Sequence, residues 1–149
     1  MSLQQELMTA LKTAMKAKDQ TALTALRAVK SAILLVKTES GASEELTEEQ
    51  ELKILQKQVK QRKESAAIYL EQGREDLAAP EIAEAKIIGR FLPEAMSEED
   101  IEKVVISTIE KLGANGMKDM GKVMGIVSKE LAGKADGKTI STIVKAKLL

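Results

Sequence analysis

This sequence predicts an all-α, multihelical fold, on three observations. Apolar residues recur at three- and four-residue spacing in successive stretches, while no segment shows convincing period-two alternation. The chain is 44% hydrophobic but only 1% aromatic, so its core must come from Leu, Ile, Val, Ala and seven Met. Helix-start and helix-stop residues also punctuate these stretches at the expected offsets. The implied architecture is an N-terminal four-helix region over residues 1–93 and a C-terminal three-helix subdomain over 97–149. Phe91-Leu92-Pro93 forms the boundary.

Ser2 with Gln5 forms a capping-box signature for a first helix, which carries Leu3, Leu7, Met8, Leu11, Ala14 and Met15 and ends near Ala17–Lys18. Asp19 is placed to cap a second helix over about Gln20 to Glu39, with Leu23, Leu26, Val29, Ala32, Ile33 and Val36 at helical spacing. Leu34 and Leu35 widen its apolar surface and suggest a central place in a bundle. Ser40 to Glu45 reads as a polar loop.

Thr47 with Gln50 repeats the capping box and opens a long helix to about Gln72, with Glu48, Glu49 and Glu51 at its positive dipole end. Its basic middle, Lys53, Lys57, Lys60, Arg62 and Lys63, is expected as solvated surface with pairs such as Lys60–Glu64. Gly73 should stop this helix, and Arg74 to Ala78 should connect to the fourth. Pro80 is expected in or just before the fourth helix's first turn, because deeper placement removes a helical hydrogen bond. Arg74, Glu75 and Asp76 are either a binding corner or, as their types favour, helix-end caps and ion pairs.

After Pro93, Ser97-Glu98-Glu99-Asp100 opens a helix with Ile101, Val104, Val105 and Ile109 inward, closing at Gly113. Asn115-Gly116 makes a turn. The next segment, from Asp119, places Met120, Val123, Met124, Val127 and Leu131 on an apolar stripe. Opposite it fall Lys118, Lys122 and Lys129 with Gly125, and Gly121 at the edge. Each glycine costs a helix roughly 1 kcal/mol relative to Ala, which implies close approach, either of another backbone or of a partner drawn by the lysines. Gly133 suits a left-handed cap and Asp136 the N-cap of a last helix with Ile140, Ile143, Val144 and Leu148 inward.

Composition excludes much chemistry. With no Cys and no His, there is no zinc site of the usual type, no thiol nucleophile and no imidazole base. Phe91 and Tyr69 alone cannot make a stacking platform for unpaired bases. No apolar run is long enough to span a membrane and the N-terminus lacks a signal pattern, so a cytoplasmic protein is expected. The zero net charge hides a basic end: residues 114–149 carry seven Lys against three acids.

Gly137-Lys138-Thr139 resembles the end of a phosphate-binding loop, but Ala132 stands where its first glycine belongs and a helical pattern precedes it. One phosphate at Lys134 and Lys138 remains open, opposed by Asp136. Helix-turn-helix reading of DNA sequence is disfavoured, since the last helix offers no Arg, Asn or Gln for base edges. No cofactor or metal is expected.

Asp119-Met120-Gly121-Lys122-Val123-Met124-Gly125 and Gly133-Lys134-Ala135-Asp136-Gly137, with Gln61 to Tyr69 and Gly73 to Ala78 upstream, resemble the YqeY family. The C-terminal part is similar to the tail domain of the B subunit of the glutamine-dependent Asp/Glu-tRNA amidotransferase, the GatB/YqeY family. That tail helps to hold tRNA, while the chemistry lies in other domains. The resemblance implies a non-catalytic accessory that contacts tRNA or a tRNA-handling protein, and the helical placement supplies the face for it: Lys118, Lys122, Lys129, Lys134 and Lys138, with Gly121 and Gly125 allowing close approach. A module that takes a partner helix at the Gly121/Gly125 groove is the alternative. A carbon–nitrogen ligase label would come from the resemblance only, since neither an ammonia-generating nucleophile nor a carboxyl-activating site is present.

Overall fold

The computed structural model describes residues 2–39 and 45–149. Seven α-helices are found among them, and no strand: α1 (Leu3–Ala17), α2 (Gln20–Glu39), α3 (Glu48–Glu71), α4 (Glu75–Gly89), α5 (Glu98–Leu112), α6 (Met120–Glu130) and α7 (Gly137–Leu148). A 3₁₀ turn, Met117–Asp119, precedes α6. Of the loop expected from Ser40 to Glu45, residues 40–44 lie outside the described residues. The chain divides into two compact units, Met1–Leu92 and Pro93–Leu149.

Local chemistry sets the helix ends in the first unit. Gln5 N donates to Ser2 Oγ at 3.2 Å while Ser2 N donates to Gln5 Oε1 at 3.0 Å. Thr47 and Gln50 repeat this exchange at the start of α3. Asp19 Oδ1 accepts from Ala22 N at 3.0 Å and opens α2. Leu7, Leu11 and Ala14 of α1, six residues of α2 from Ala22 to Ile33, Ile54 and Leu55 of α3, and Ile88 of α4 make one core. Helix α2 packs against α1, α3 and α4 and is central. Leu34 and Leu35 do not contribute to that: they are 64% and 59% exposed, while Ile33 and Val36 of the same turn are the residues that face the core.

The expected connector at Arg74–Ala78 is instead the first turn of α4, and Pro80 sits in the second turn. Gly73, at φ 72°, reverses the chain within a few residues, and Leu77 N and Ala78 N both donate to the Arg74 carbonyl at 3.1 Å. Starting early puts Ala78 in phase with Ala85 and Ile88, all buried. That burial outweighs the bond Pro80 cannot donate.

The second unit has its own core. Ile101 and Val105 of α5, Val123 and Val127 of α6, Leu131, and Ile140, Val144 and Leu148 of α7 bury one another. Each of the three helices packs on the other two. Ser97 Oγ accepts from Asp100 N at 3.2 Å to start α5, and Gly113, at φ 60°, ends it. Buried Thr108 is satisfied by donating to the Val104 carbonyl at 2.9 Å.

Candidate nucleic-acid interface

The lysines of interest lie on α6, on the turn after it and at the start of α7. Val123, Val127 and Leu131 point into the core and Met120 and Met124 are half-buried, which fixes the opposite side of α6 as the outer face. Lys122 and Lys129 lie on that face, both exposed and two turns apart, about 10.5 Å along the axis. Lys118 is exposed too, but it belongs to the 3₁₀ turn, so the arc expected from one continuous helix holds only for Lys122 and Lys129. The turn forms because Asp119 folds back: its Oδ2 accepts from Asn115 N at 2.8 Å and its own N–H donates to the Gly116 carbonyl at 3.2 Å.

Gly121 and Gly125 are exposed, and a Cβ built on either would meet nothing within 4 Å. No backbone of the unit therefore approaches them among the described residues, and that explanation of the glycines falls. One residue of this face was not anticipated. Ile126 is 44% exposed and falls on the helical net between Lys122 and Lys129, next to Gly125. The signal was present in the sequence: Ile126 is the apolar residue of α6 that lies off the inward stripe.

Helix α6 ends at Leu131, with Gly133, at φ 79°, supplying the left-handed residue two positions on. The Lys134 carbonyl accepts from Met96 N at 2.9 Å, which ties the turn to the segment ahead of α5 and leaves the Lys134 side chain in solvent. Asp136 caps α7 by accepting from Lys138 N at 3.1 Å, so that amide is already used, while the Lys138 side chain is exposed. Among the described residues none of Lys118, Lys122, Lys129, Lys134 and Lys138 forms an ion pair. Lys147, by contrast, is tied to Glu102 of α5 at 2.6 Å. The second unit is neutral overall, with nine basic and nine acidic residues, six of the acids lying before Gly113. The charge contrast therefore runs within one unit, from α5 to α6 and α7.

Other candidate groups have structural roles. Arg74 grips Asp76 through two bonds of 3.0 Å, Nε to Oδ1 and Nη2 to Oδ2. The guanidinium holds the Asp76 carboxyl below its ordinary range, and the carboxylate raises Arg74 in turn. Both are well exposed and lock the start of α4. Arg62 is not solvated surface. It lies largely buried against Glu84 of α4 and donates to the Gln58 carbonyl and side chain at 3.2 and 2.7 Å. The surface pair formed on α3 is Glu49–Lys53, at 3.2 Å, rather than Lys60–Glu64.

A cavity of about 360 Å³ in the first unit is lined by Glu6, Glu48 and Glu51 together with Leu3, Leu55 and Phe91. Burial and the charge of Glu48 push the Glu51 carboxyl up, with Glu45 adding to this and Lys37 opposing it. No cluster of three or more acids among the described residues is arranged to hold a metal, and no described helix is long and apolar enough to cross a membrane.

Such a molecule is an all-helical protein with an exposed lysine face on its C-terminal unit, unpaired among the described residues. The chain belongs to the YqeY family, since residues 4–148 match the model of the Yqey-like protein. Over 71 residues it is 41% identical to the E subunit of the glutamyl-tRNA(Gln) amidotransferase of Thermococcus gammatolerans, a match spanning 48% of this chain and only 11% of that much longer protein. Two proteins named altered inheritance of mitochondria protein 41, mitochondrial, are also similar. That of Clavispora lusitaniae is 35% identical over 124 residues, covering 81% of this chain and 69% of its own length. That of Pyrenophora tritici-repentis is 30% identical over 128 residues, covering 84% and 68%. The mitochondrial names lend no support to the cytoplasmic expectation.

Proposed function

We propose that this chain is a non-catalytic accessory of tRNA handling that contacts tRNA, or a protein bound to it, through the outer face of α6 and the turn to α7. The observation that carries this reading is the set of five exposed lysines, Lys118, Lys122, Lys129, Lys134 and Lys138, with no ion pair among the described residues. Cations left unpaired on a neutral unit suit a polyanion. Gly121 and Gly125 leave bare backbone between them, where a sugar–phosphate strand can approach. Similarity to part of a tRNA amidotransferase supports the same direction. The contact is one of position and charge without base reading, because neither α6 nor α7 has Arg, Asn or Gln. A cytoplasmic site of action belongs to the same proposal.

One observation favours the alternative of a protein partner. Ile126 gives the lysine-rimmed face an apolar centre beside Gly125, which a partner helix could cover. Titration of the whole protein with tRNA over a range of salt separates the two readings. A steep fall of affinity with salt supports RNA contact, and no binding even at low salt overturns it in favour of the helix partner.

A further inference from the structure

We infer that Asn115–Gly116 is a site of spontaneous covalent modification, at which Asn115 is converted through a cyclic imide to a mixture of isoaspartate and aspartate. Asn115 is the only asparagine in the chain, and glycine follows it. The conversion needs the Gly116 nitrogen to reach the Asn115 side-chain carbon, and three features leave that route open. Asn115 is exposed. Among the described residues neither its side-chain amide nor the Gly116 N–H takes part in a hydrogen bond; the bonds of this turn use Asn115 N and the Gly116 carbonyl instead. Gly116, at φ 77°, carries no side chain to shield its own nitrogen from the Asn115 side chain.

In the reaction, base removes the Gly116 N–H proton and the nitrogen attacks the Asn115 side-chain carbonyl carbon. The bond to the side-chain nitrogen breaks, and ammonia leaves with a proton from solvent. Water then opens the five-membered ring at either carbonyl. The net change is amide plus water to carboxylic acid plus ammonia, with no redox step. Asp136–Gly137 is a contrast within the same unit, because Asp136 Oδ1 is engaged by Lys138 N at 3.1 Å as the α7 cap. The product adds a carboxylate just ahead of Lys118 and, where isoaspartate forms, an extra backbone carbon in the turn that Asp119 holds. Its opposition to a polyanion on the lysine face rests on the function proposed above.

The test incubates the full chain at mildly alkaline pH, folded and in urea, and follows intact mass and the isoaspartate content of the peptides holding 115 and 136. Expected is the mass gain of one amide-to-acid exchange in the folded protein, at a rate within about tenfold of the unfolded chain, since loops of this kind open at little free-energy cost. Isoaspartate should appear at 115 and not at 136, and Asn115→Gln should abolish the mass gain. A folded protein that keeps its amide while the unfolded chain converts would overturn the inference. So would a mass gain that survives in Asn115→Gln, or isoaspartate forming equally fast at 136. These readouts do not involve RNA, so they stand apart from the fate of the proposed function.

Discussion

Arg62 of α3 and Glu84 of α4 face each other with 3.7 Å between Nε and Oε2, their side chains only 14% and 13% exposed. The pair is imperfect. Among the described residues Arg62 Nε is buried without a hydrogen-bond partner, and Nη1 is directed to Gln58 instead. Burial pushes the Glu84 carboxyl up, the Arg62 charge only partly opposes this, and Glu81 adds to it. Desolvation therefore wins over attraction at this contact.

Removing one partner should hurt, and removing both should not. Glu84→Leu alone leaves the buried guanidinium uncompensated and should cost about 1–3 kcal/mol. Arg62→Met with Glu84→Leu should fall within about 1 kcal/mol of the parent or exceed it. Urea unfolding of the two singles and the double measures the coupling, and additive losses would contradict this account.

The same contact sets a pH dependence. A carboxyl raised in the folded state binds its proton more tightly there than in the unfolded chain. Its contribution to stability is therefore present below the unfolded value and is lost as pH rises through the folded one. Glu84→Gln should gain stability relative to the parent as pH rises out of the ordinary carboxylate range, and Glu51→Gln should behave alike for its own reasons. Asp76 is shifted downward and works in the opposite sense. Thermal melts across acidic to neutral pH would show a flat difference if these shifts were absent.

For the lysine face, the expected readout is a slope. Each phosphate contact contributes about −0.7 to −0.9 to the log–log dependence of affinity on salt. Replacing Lys118, Lys122 and Lys129 together with Gln should flatten it by about two to three units and leave the fold intact, since all three are exposed. An unchanged slope would place the contacts elsewhere.

The empty space around Gly125 makes a simple stability experiment. Gly125→Ala should stabilise α6 by about 0.5–1 kcal/mol, because the added methyl meets no atom and the unfolded chain loses freedom. Gly121 lies in the first turn of α6 and should give less. Gly125→Leu should weaken RNA binding sterically without altering the salt slope. A destabilised Gly125→Ala would reveal a neighbour in the folded protein.

Residues 93–149 contain three helices, two side-chain caps and a closed set of buried residues. We expect a fragment of that span to fold alone, with helical circular dichroism and a cooperative melt. A random-coil spectrum would mean that the two units fold only together.

The helix boundaries were legible in the sequence wherever they depend on residues two to four apart. Ser2 with Gln5, Thr47 with Gln50, Asp19 with Ala22 and Ser97 with Asp100 form their bonds across such short spans that composition and order suffice. The inward stripes of α5, α6 and α7 follow equally from periodicity. Tertiary structure alone decided which outward groups meet a neighbour. It left Leu34 and Leu35 in solvent, buried Arg62 against Glu84, and drew α4 forward past Pro80 to bury Ala78. It also showed that no atom of the described residues stands over Gly121 or Gly125 and that Ile126 is exposed among the lysines. Periodicity reports the phase of a helix, but burial depends on which sides other helices cover, and that is a property of chain segments far apart in sequence.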